Sequence, residues 1–278
     1  MRVPLEKALL CLYLLVEGNS IRSIERVVGL EKKTITALML LAAERAERVS
    51  KKYIHGLTVK DVQADEIWAF IRMKNKTKLR LRPDDDEVGN VWCFVALERD
   101  TKLVLCWHLG GRTTADAEAF LAKLDYAVAG RFQLSTDGLE SYPEALALNL
   151  NVGARVDYAQ VIKTYEAAHP QQSPGDERSY SPPRVAEIVK VPRMGDPDPL
   201  TISTSHVERQ NLTMRMMMRR LTRLTNAFSK KRENLEAALA LHFGFYNFCR
   251  IHKTIRCTPA MEAGIAKSVW ELKDLLTR

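Results

Sequence analysis

Three carboxylates stand where acids could do chemistry together. Asp65 lies inside a run of strand formers, Ala64-Asp65-Glu66-Ile67-Trp68. Asp137 closes another run, Ser135-Thr136-Asp137-Gly138, and Glu208 opens a basic stretch, Ser205-His206-Val207-Glu208-Arg209-Gln210-Asn211. Each has an ordinary structural reading. A strand acid can simply face solvent, an Asp-Gly pair turns the chain, and Ser205 with Glu208 three residues on matches a capping box. Brought to one place, they mean something else. Converging carboxylates repel unless a cation neutralises them, and hard carboxylate oxygens suit Mg²⁺ or Mn²⁺. Two such ions about 4 Å apart activate an attacking oxygen and stabilise the leaving one at a phosphodiester. No protein nucleophile is then required.

Whether the acids meet depends on the elements that carry them. Residues 62–71, 91–97 and 103–109 are predicted strands, the last two joined around Arg99-Asp100. A tight turn there sets Cys93 opposite Cys106 as free thiols. Trp92, Phe94, Leu105 and Trp107 fall on one face of this hairpin and Val91, Val95 and Val104 on the other. A sheet apolar on both faces is covered by helices on both sides. Residues 114–128 read as a helix, 132–136 as a strand, 140–148 as a helix and 152–161 as a fifth strand. This order is that of a ribonuclease H-like α/β domain, a mixed five-stranded sheet with helices on both faces. In that topology the first and fourth strands are neighbours, so Asp65 approaches Asp137. The helix after the fifth strand then carries Glu208 to the same edge.

The remaining segments flank this core. Leu5, Leu9, Leu12 and Val16 recur at helical spacing. Gly18-Asn19-Ser20 breaks that helix, with Ser20 as an N-cap. Ile21, Ile24 and Val28 make a short second helix ended near Gly29, and a third starts around Glu31. Short helix, glycine turn, longer helix is the helix-turn-helix pattern. Its Lys32, Lys33, Thr34 and Thr36 are expected to face phosphates and base edges; the plainer alternative is a small bundle with solvated lysines. Residues 166–204 hold seven of the 11 prolines and read as an insertion. Within it, 185–191 and 200–203 could pair as a hairpin. Long helices are expected over 205–228 and 230–248, then a short one after Thr258-Pro259. The resulting division is a helix-turn-helix domain over 1–50, a connector over 51–60, a catalytic domain over 61–254 and a helical tail over 255–278.

Charge follows this division. The 278 residues carry a net +8, distributed as +4 over residues 1–64, −4 over 65–204 and +8 over 205–278. That pattern suits a polyanion gripped at both ends and a cation held in the centre. From Arg209 to Arg232 there are eight basic residues and no acid. Arg215, Arg219 and Arg223 recur every fourth position, so one helical stripe would lead a duplex toward Glu208. Arg209, Asn211, Lys230 and Lys231 complete the expected DNA contacts. Trp68 and Trp92 are expected in the core, Lys163 and Tyr165 near the DNA backbone, and Tyr246, Asn247, Arg250 and His252 as braces for the last helices. The longest apolar run, 8–16, is far short of the roughly 20 residues of a membrane span. Glu6 and Glu17 flank it without a small-residue cleavage site, unlike a signal peptide. Five cysteines without two-residue spacing argue against a disulfide framework and a zinc ribbon. A reducing cytoplasm is the simplest setting.

The sequence resembles DDE-type transposases of the insertion-sequence-one family over roughly residues 20–265. The stretches that carry the likeness are Asp65-Glu66-Ile67-Trp68, Thr136-Asp137-Gly138 and His206-Val207-Glu208-Arg209-Gln210-Asn211. Tyr246-Asn247-Phe248-Cys249-Arg250-Ile251-His252 followed by Thr258-Pro259 is similar to the tail of many integrase-like cores. The resemblance implies that Asp65, Asp137 and Glu208 form the metal-binding triad, with Mg²⁺ or Mn²⁺ as cofactor. It implies that the helix-turn-helix reads terminal inverted repeats of double-stranded DNA. The implied reaction frees a 3′-hydroxyl at each element end, which then attacks target DNA, and cutting two ends together implies a homo-oligomer. Two features depart from the family. No cysteine zinc ribbon precedes the helix-turn-helix, and Glu208 follows Asp137 at a wider spacing, which a long insertion permits at small entropic cost. The alternatives are a helix-turn-helix regulator or transposition repressor without catalysis, and a ribonuclease H-like nuclease that hydrolyses without strand transfer.

Overall fold

The computed structural model describes residues 3–165 and 185–277. Three helices come first: α1 (Leu5–Val16), α2 (Ile21–Val28) and α3 (Lys32–Tyr53). Then follow β1 (Leu57–Thr58), β2 (Asp61–Ile71), α4 (Asn75–Leu81), β3 (Gly89–Glu98), β4 (Val104–Gly110), α5 (Thr114–Ala127), β5 (Val128–Ala129) and β6 (Phe132–Asp137). The chain continues through α6 (Ser141–Leu148), α7 (Leu150–Gly153), β7 (Val156–Tyr165) and β8 (Val185–Met194). It ends with α8 (Ser205–Met217), a 3₁₀ turn (Arg219–Leu221), α9 (Arg232–Phe248), α10 (Pro259–Glu262) and α11 (Leu272–Thr277).

Six strands form one mixed sheet in the order β4-β3-β2-β6-β7-β8. β2, β6 and β7 run parallel, while β3, β4 and β8 are antiparallel to their neighbours. The first five match the expected ribonuclease H-like order, and β1 pairs separately with β5. Strand parity builds two cores. Val62, Ala64, Phe94, Ala96 and Leu105 pack with Phe120, Leu121 and Leu124 of α5 and Tyr142 of α6. Ile67, Cys93, Val95 and Leu109 pack on the opposite face with Val207 and Met214 of α8 and Leu239 and Phe243 of α9. Helices therefore cover both faces, as two apolar faces require.

The N-terminal helices obey their local signals. Ser20 accepts from the Ser23 amide at 3.1 Å, and Gly29 closes α2 in the left-handed region at φ 70. α3 runs on through positions expected to be connector. Its Met39, Ala42, Ala43, Ala46 and Val49 join Leu241, Phe245 and Phe248 of α9 in one apolar cluster. Gly244 permits this close crossing, because a Cβ there would lie 2.8 Å from that of Ala46. Gly18, at φ 80, lets the α1–α2 turn press on the end of α8; an added Cβ would sit 3.1 Å from the Met216 carbonyl oxygen.

Four expectations are corrected. Cys106 sits opposite Ala96, and Cys93 opposite Leu109. The turn is wider than two residues, with Lys102 at φ 64 and a register shift at Ala96/Leu97, so the pairing slides. The fifth strand begins at Val156, because Asn149 caps a helical turn at the Val152 amide (3.3 Å). Residues 185–191 pair with β7, not with 200–203, and extend the sheet to six strands; residues 166–184 of the insertion lie outside the described residues. The helix expected over 205–228 stops at Met217. Beyond it the chain folds back to bury Met218 and Leu221 against the sheet. Thr222 Oγ1 returns to the Arg215 carbonyl at 3.1 Å.

One expected brace is explicit. Asn247 is 1% exposed, and its side-chain amide both accepts from and donates to the backbone of Val104, at 3.0 and 2.9 Å. Asn247→Leu would leave a buried N–H and C=O unmatched, at a cost of about 2–4 kcal/mol. Urea unfolding of the variant should show that loss; an unchanged midpoint would refute the brace.

Candidate active site

β2 sets the site by alternation. Its odd positions face α8: Gln63 is fully buried, and its Oε1 accepts from the amides of His206 (2.9 Å) and Val207 (3.3 Å). The start of α8 is thus capped from the sheet, and the expected Ser205–Glu208 capping box does not form. Two residues on, Asp65 Oδ2 accepts from Asn211 Nδ2 at 2.8 Å, and its Oδ1 from the Glu66 amide at 2.8 Å. β2 pairs with β6 up to Ala64 and Thr136. The next residues, Asp65 and Asp137, therefore stand side by side where this pairing stops, Asp137 at the carboxyl end of β6 and Asp65 midway along β2.

A third acid joins them from the other face. Glu66 is 1% exposed at its side chain. It accepts from the Tyr142 hydroxyl at 2.5 Å and from Arg112 Nη2 at 3.2 Å. One oxygen from each of Asp65, Glu66 and Asp137 lies within 4.8 Å of the others. Asp137 uses Oδ1 to hold the Leu139 amide (3.1 Å), which is the expected turn chemistry. Its Oδ2 lies 3.7 Å from Arg112. Glu208 lines the same cleft, of about 660 Å³. Its carboxylate accepts from Thr204 Oγ1 at 2.5 Å and pairs with Lys163 at the end of β7. The loop carrying Arg112 is anchored by Asp116, which accepts from the Gly111 amide (2.9 Å) and Thr113 Oγ1 (2.6 Å).

The electrostatics are those of an acid cluster short of positive charge. Burial, then the charges of Asp137 and Glu208, push the Asp65 carboxyl up to about 7. Burial and Asp137 push Glu66 up to about 8, against the pull of Tyr142 and Arg112. Asp137 is also raised, chiefly by burial. The nearby cations, Arg112 and Lys163, are partly exposed and do not offset this. A donor set made only of carboxylate oxygens, whose charged forms are disfavoured by one another, fits a hard divalent cation.

The structure thus unites Asp65 and Asp137 and sets Glu208 at the same cleft, while Glu66, Arg112 and Lys163 complete a site that sequence reasoning left partial. Glu66 had a signal, since two consecutive acids in a buried strand leave one on each face. Arg112 had none. The expected arginine stripe does not form. Arg219 and Arg223 lie beyond the end of α8, and Arg215 turns inward to donate to the carbonyls of Leu221 (2.8 Å) and Trp68 (2.7 Å). Asn211 points at Asp65. Arg209, Arg219, Arg223, Lys230 and Lys231 are exposed. Lys32 and Lys33 are exposed at the start of α3, where Thr36 is half-buried and bonds the Lys32 carbonyl at 2.9 Å. Trp68 is only half-buried, beneath Lys74. Among the described residues, no helix is long and apolar enough to cross a membrane.

Fold and site together define a mixed α/β protein with a carboxylate cluster suited to a divalent cation. No protein-family model matches the chain, and no curated protein does. Among solved structures it is similar to a piggyBac transposase, determined by cryo-EM in a synaptic complex with hairpin DNA. The TM-score is 0.34 at 12% identity, over 79% of this chain and 51% of that one. The chain spans about half the length of that protein, and so loose a likeness transfers no residue role.

Proposed function

We propose that the protein is a DDE-type DNA transposase of the kind its sequence resembles, the insertion-sequence-one family. The observation that carries this reading is the meeting of Asp65 and Glu66, midway along β2, with Asp137 at the end of β6, and the delivery of Glu208 by α8 to the cleft that Asp65 and Asp137 line. Asp65, Asp137 and Glu208 would hold two Mg²⁺ or Mn²⁺ ions, with Glu66 as a fourth donor. Such ions supply a nucleophilic oxygen and charge neutralisation at a scissile phosphodiester. The chain's own groups do the rest. Asn211 and the Glu66 amide fix both oxygens of Asp65. Tyr142 and Arg112 hold Glu66 in place. Lys163 and Arg112, at the cleft mouth, are positioned to meet phosphate oxygens once a strand enters. Residues 1–50 act as the reader of inverted-repeat ends, through Lys32, Lys33, Thr34 and Thr36, and the active form is an oligomer that joins two ends.

A strand-transfer assay tests this. A labelled duplex from the flank of the coding sequence is incubated with supercoiled plasmid and Mg²⁺ or Mn²⁺. Joined product supports transposition. Cleavage without joining would replace it with a ribonuclease H-like nuclease, and bound but uncut DNA under every metal condition with a regulator.

A further inference from the structure

The N-terminal helices and the segment between α8 and α9 meet over a second cleft, of about 740 Å³, which shares no lining residue with the carboxylate site. Five cations line it: Arg22 from α2, Lys32 from α3, and Arg219, Arg220 and Lys230 from the segment before α9. Among the described residues no carboxylate lines it. Lys32 has Glu25 at 3.5 Å; among the described residues the other four have no acid partner.

Three groups in this cleft are short of partners among the described residues: Arg220 of a counter-charge, and His242 Nε2 and Asn234 Oδ1 of a hydrogen bond. Arg220 is half-buried, and its guanidinium meets only neutral atoms, Ser229 Oγ at 2.9 Å and Met39 Sδ at 3.7 Å. Burial without a counter-charge holds its pKa down at about 10. A desolvated guanidinium is costly until an anion reaches it. His242 is 4% exposed, lines the same cleft, and its Nε2 has no hydrogen-bond partner among the described residues. Burial, then the charge of Arg250, pushes the ring down to about 3, so it is neutral and, with its proton on Nε2, is a donor lacking an acceptor. A water could satisfy the histidine but not the charge on Arg220, for which an anion supplies the missing counter-charge. The five cations come from three separate stretches of chain, more than one small dianion needs, and match a row of phosphates.

We propose that this cleft seats backbone phosphates of duplex DNA, bridging the N-terminal helices and the core. Taking DNA as the anion rests on the proposed function; the cationic cleft, with Arg220 lacking a counter-charge, does not.

The test is fluorescence anisotropy with a fluorescein-labelled 30-base-pair duplex in EDTA, over a series of KCl concentrations, so that no chemistry intervenes. Arg219→Gln combined with Lys230→Gln alters two exposed side chains and should leave the fold intact, as checked by circular dichroism. Affinity is expected to fall about tenfold or more, and the slope of log affinity against log salt by about two. Lys267→Gln with Lys273→Gln removes the same charge outside the cleft and is expected to change affinity far less. Equal losses in the two double variants would reduce the effect to net charge and overturn the proposal. So would unchanged duplex binding in the first. If 10 mM inorganic phosphate stabilises the parent but not the first variant, while duplex binding is equal, the cleft takes free phosphate and the proposal fails. A parent that binds no duplex at all overturns the proposed function itself, whereas a parent that binds and a cleft variant that binds equally well overturns only this inference.

Discussion

Asp137→Asn and Asp65→Asn are each expected to cut metal-dependent strand cleavage by about 10³-fold or more, while duplex binding in EDTA stays within about threefold of the parent. The asymmetry follows from what these groups touch. Asp65 and Asp137 share a cleft with Glu208 and lie beside Glu66; apart from Arg112, 3.7 Å from Asp137, they contact none of the basic residues assigned to DNA. Replacing one carboxylate removes a donor of the proposed metal site, and with it several kcal/mol of transition-state stabilisation. A second readout separates this from misfolding. Asp65 is held up at about 7 by burial and by its neighbouring acids, so at pH 8 its charge burdens the metal-free protein. Asp65→Asn is therefore expected to melt at a higher temperature than the parent at pH 8, with the gap closing toward pH 5, a trade of stability for function. A variant that is both inactive and less stable at pH 8 would point to a structural acid. A variant that retains cleavage would remove the site.

Divalent metal is expected to reverse the same burden. Asp65, Glu66 and Asp137 are all raised above their ordinary values. The folded state thus binds more protons than the unfolded chain, and stability falls as pH rises. The sign is opposite to that of an ordinary ion-paired carboxylate. Their contribution is fully present below the usual carboxylate range, near pH 4. It is lost as pH climbs through about 7 for Asp65 and about 8 for Glu66. The metal-free protein should accordingly melt lower at pH 8 than at pH 6. Mn²⁺ or Mg²⁺ at about a hundredfold over its dissociation constant contributes about 2.7 kcal/mol. For a chain of this size that is about 5–10 °C in melting temperature. The gain should be larger at pH 8 than at pH 6, because protons compete for the same oxygens. Differential scanning fluorimetry across that range, with EDTA as reference, checks both parts. A shift that persists in Asp65→Asn/Asp137→Asn would place the metal elsewhere.

Much of this was legible in order along the chain. Ser20, Gly29 and the spacing of Ile21, Ile24 and Val28 set the first turn chemistry, because caps and glycine turns are decided within a few residues. The two-faced apolar pattern of residues 91–109 already required helices on both sides of a sheet. The succession of strands and helices along the chain in turn implied the strand order that brings Asp65 to Asp137. The acids at 65, 137 and 208 were visible as residue types at meaningful places.

What the chain order could not decide were contacts between distant segments. The arginine spacing at 215, 219 and 223 is helical on paper, yet no local residue stops α8. It ends because Met218 and Leu221 gain more by burial on the sheet, while Arg215 finds carbonyls at Leu221 and Trp68. Glu66 enters the site only because Tyr142 and Arg112, 76 and 46 residues away in sequence, lie where its side chain points. The strand from Val185 joins the sheet because β7 offers an open edge. The second cleft exists only where α2, α3 and the 219–230 segment come together. The sequence by itself determined which residues could bind metal or phosphate, since that is a property of side-chain chemistry and local spacing. Tertiary structure decided which of them share a site, since that depends on which buried surfaces pack against one another.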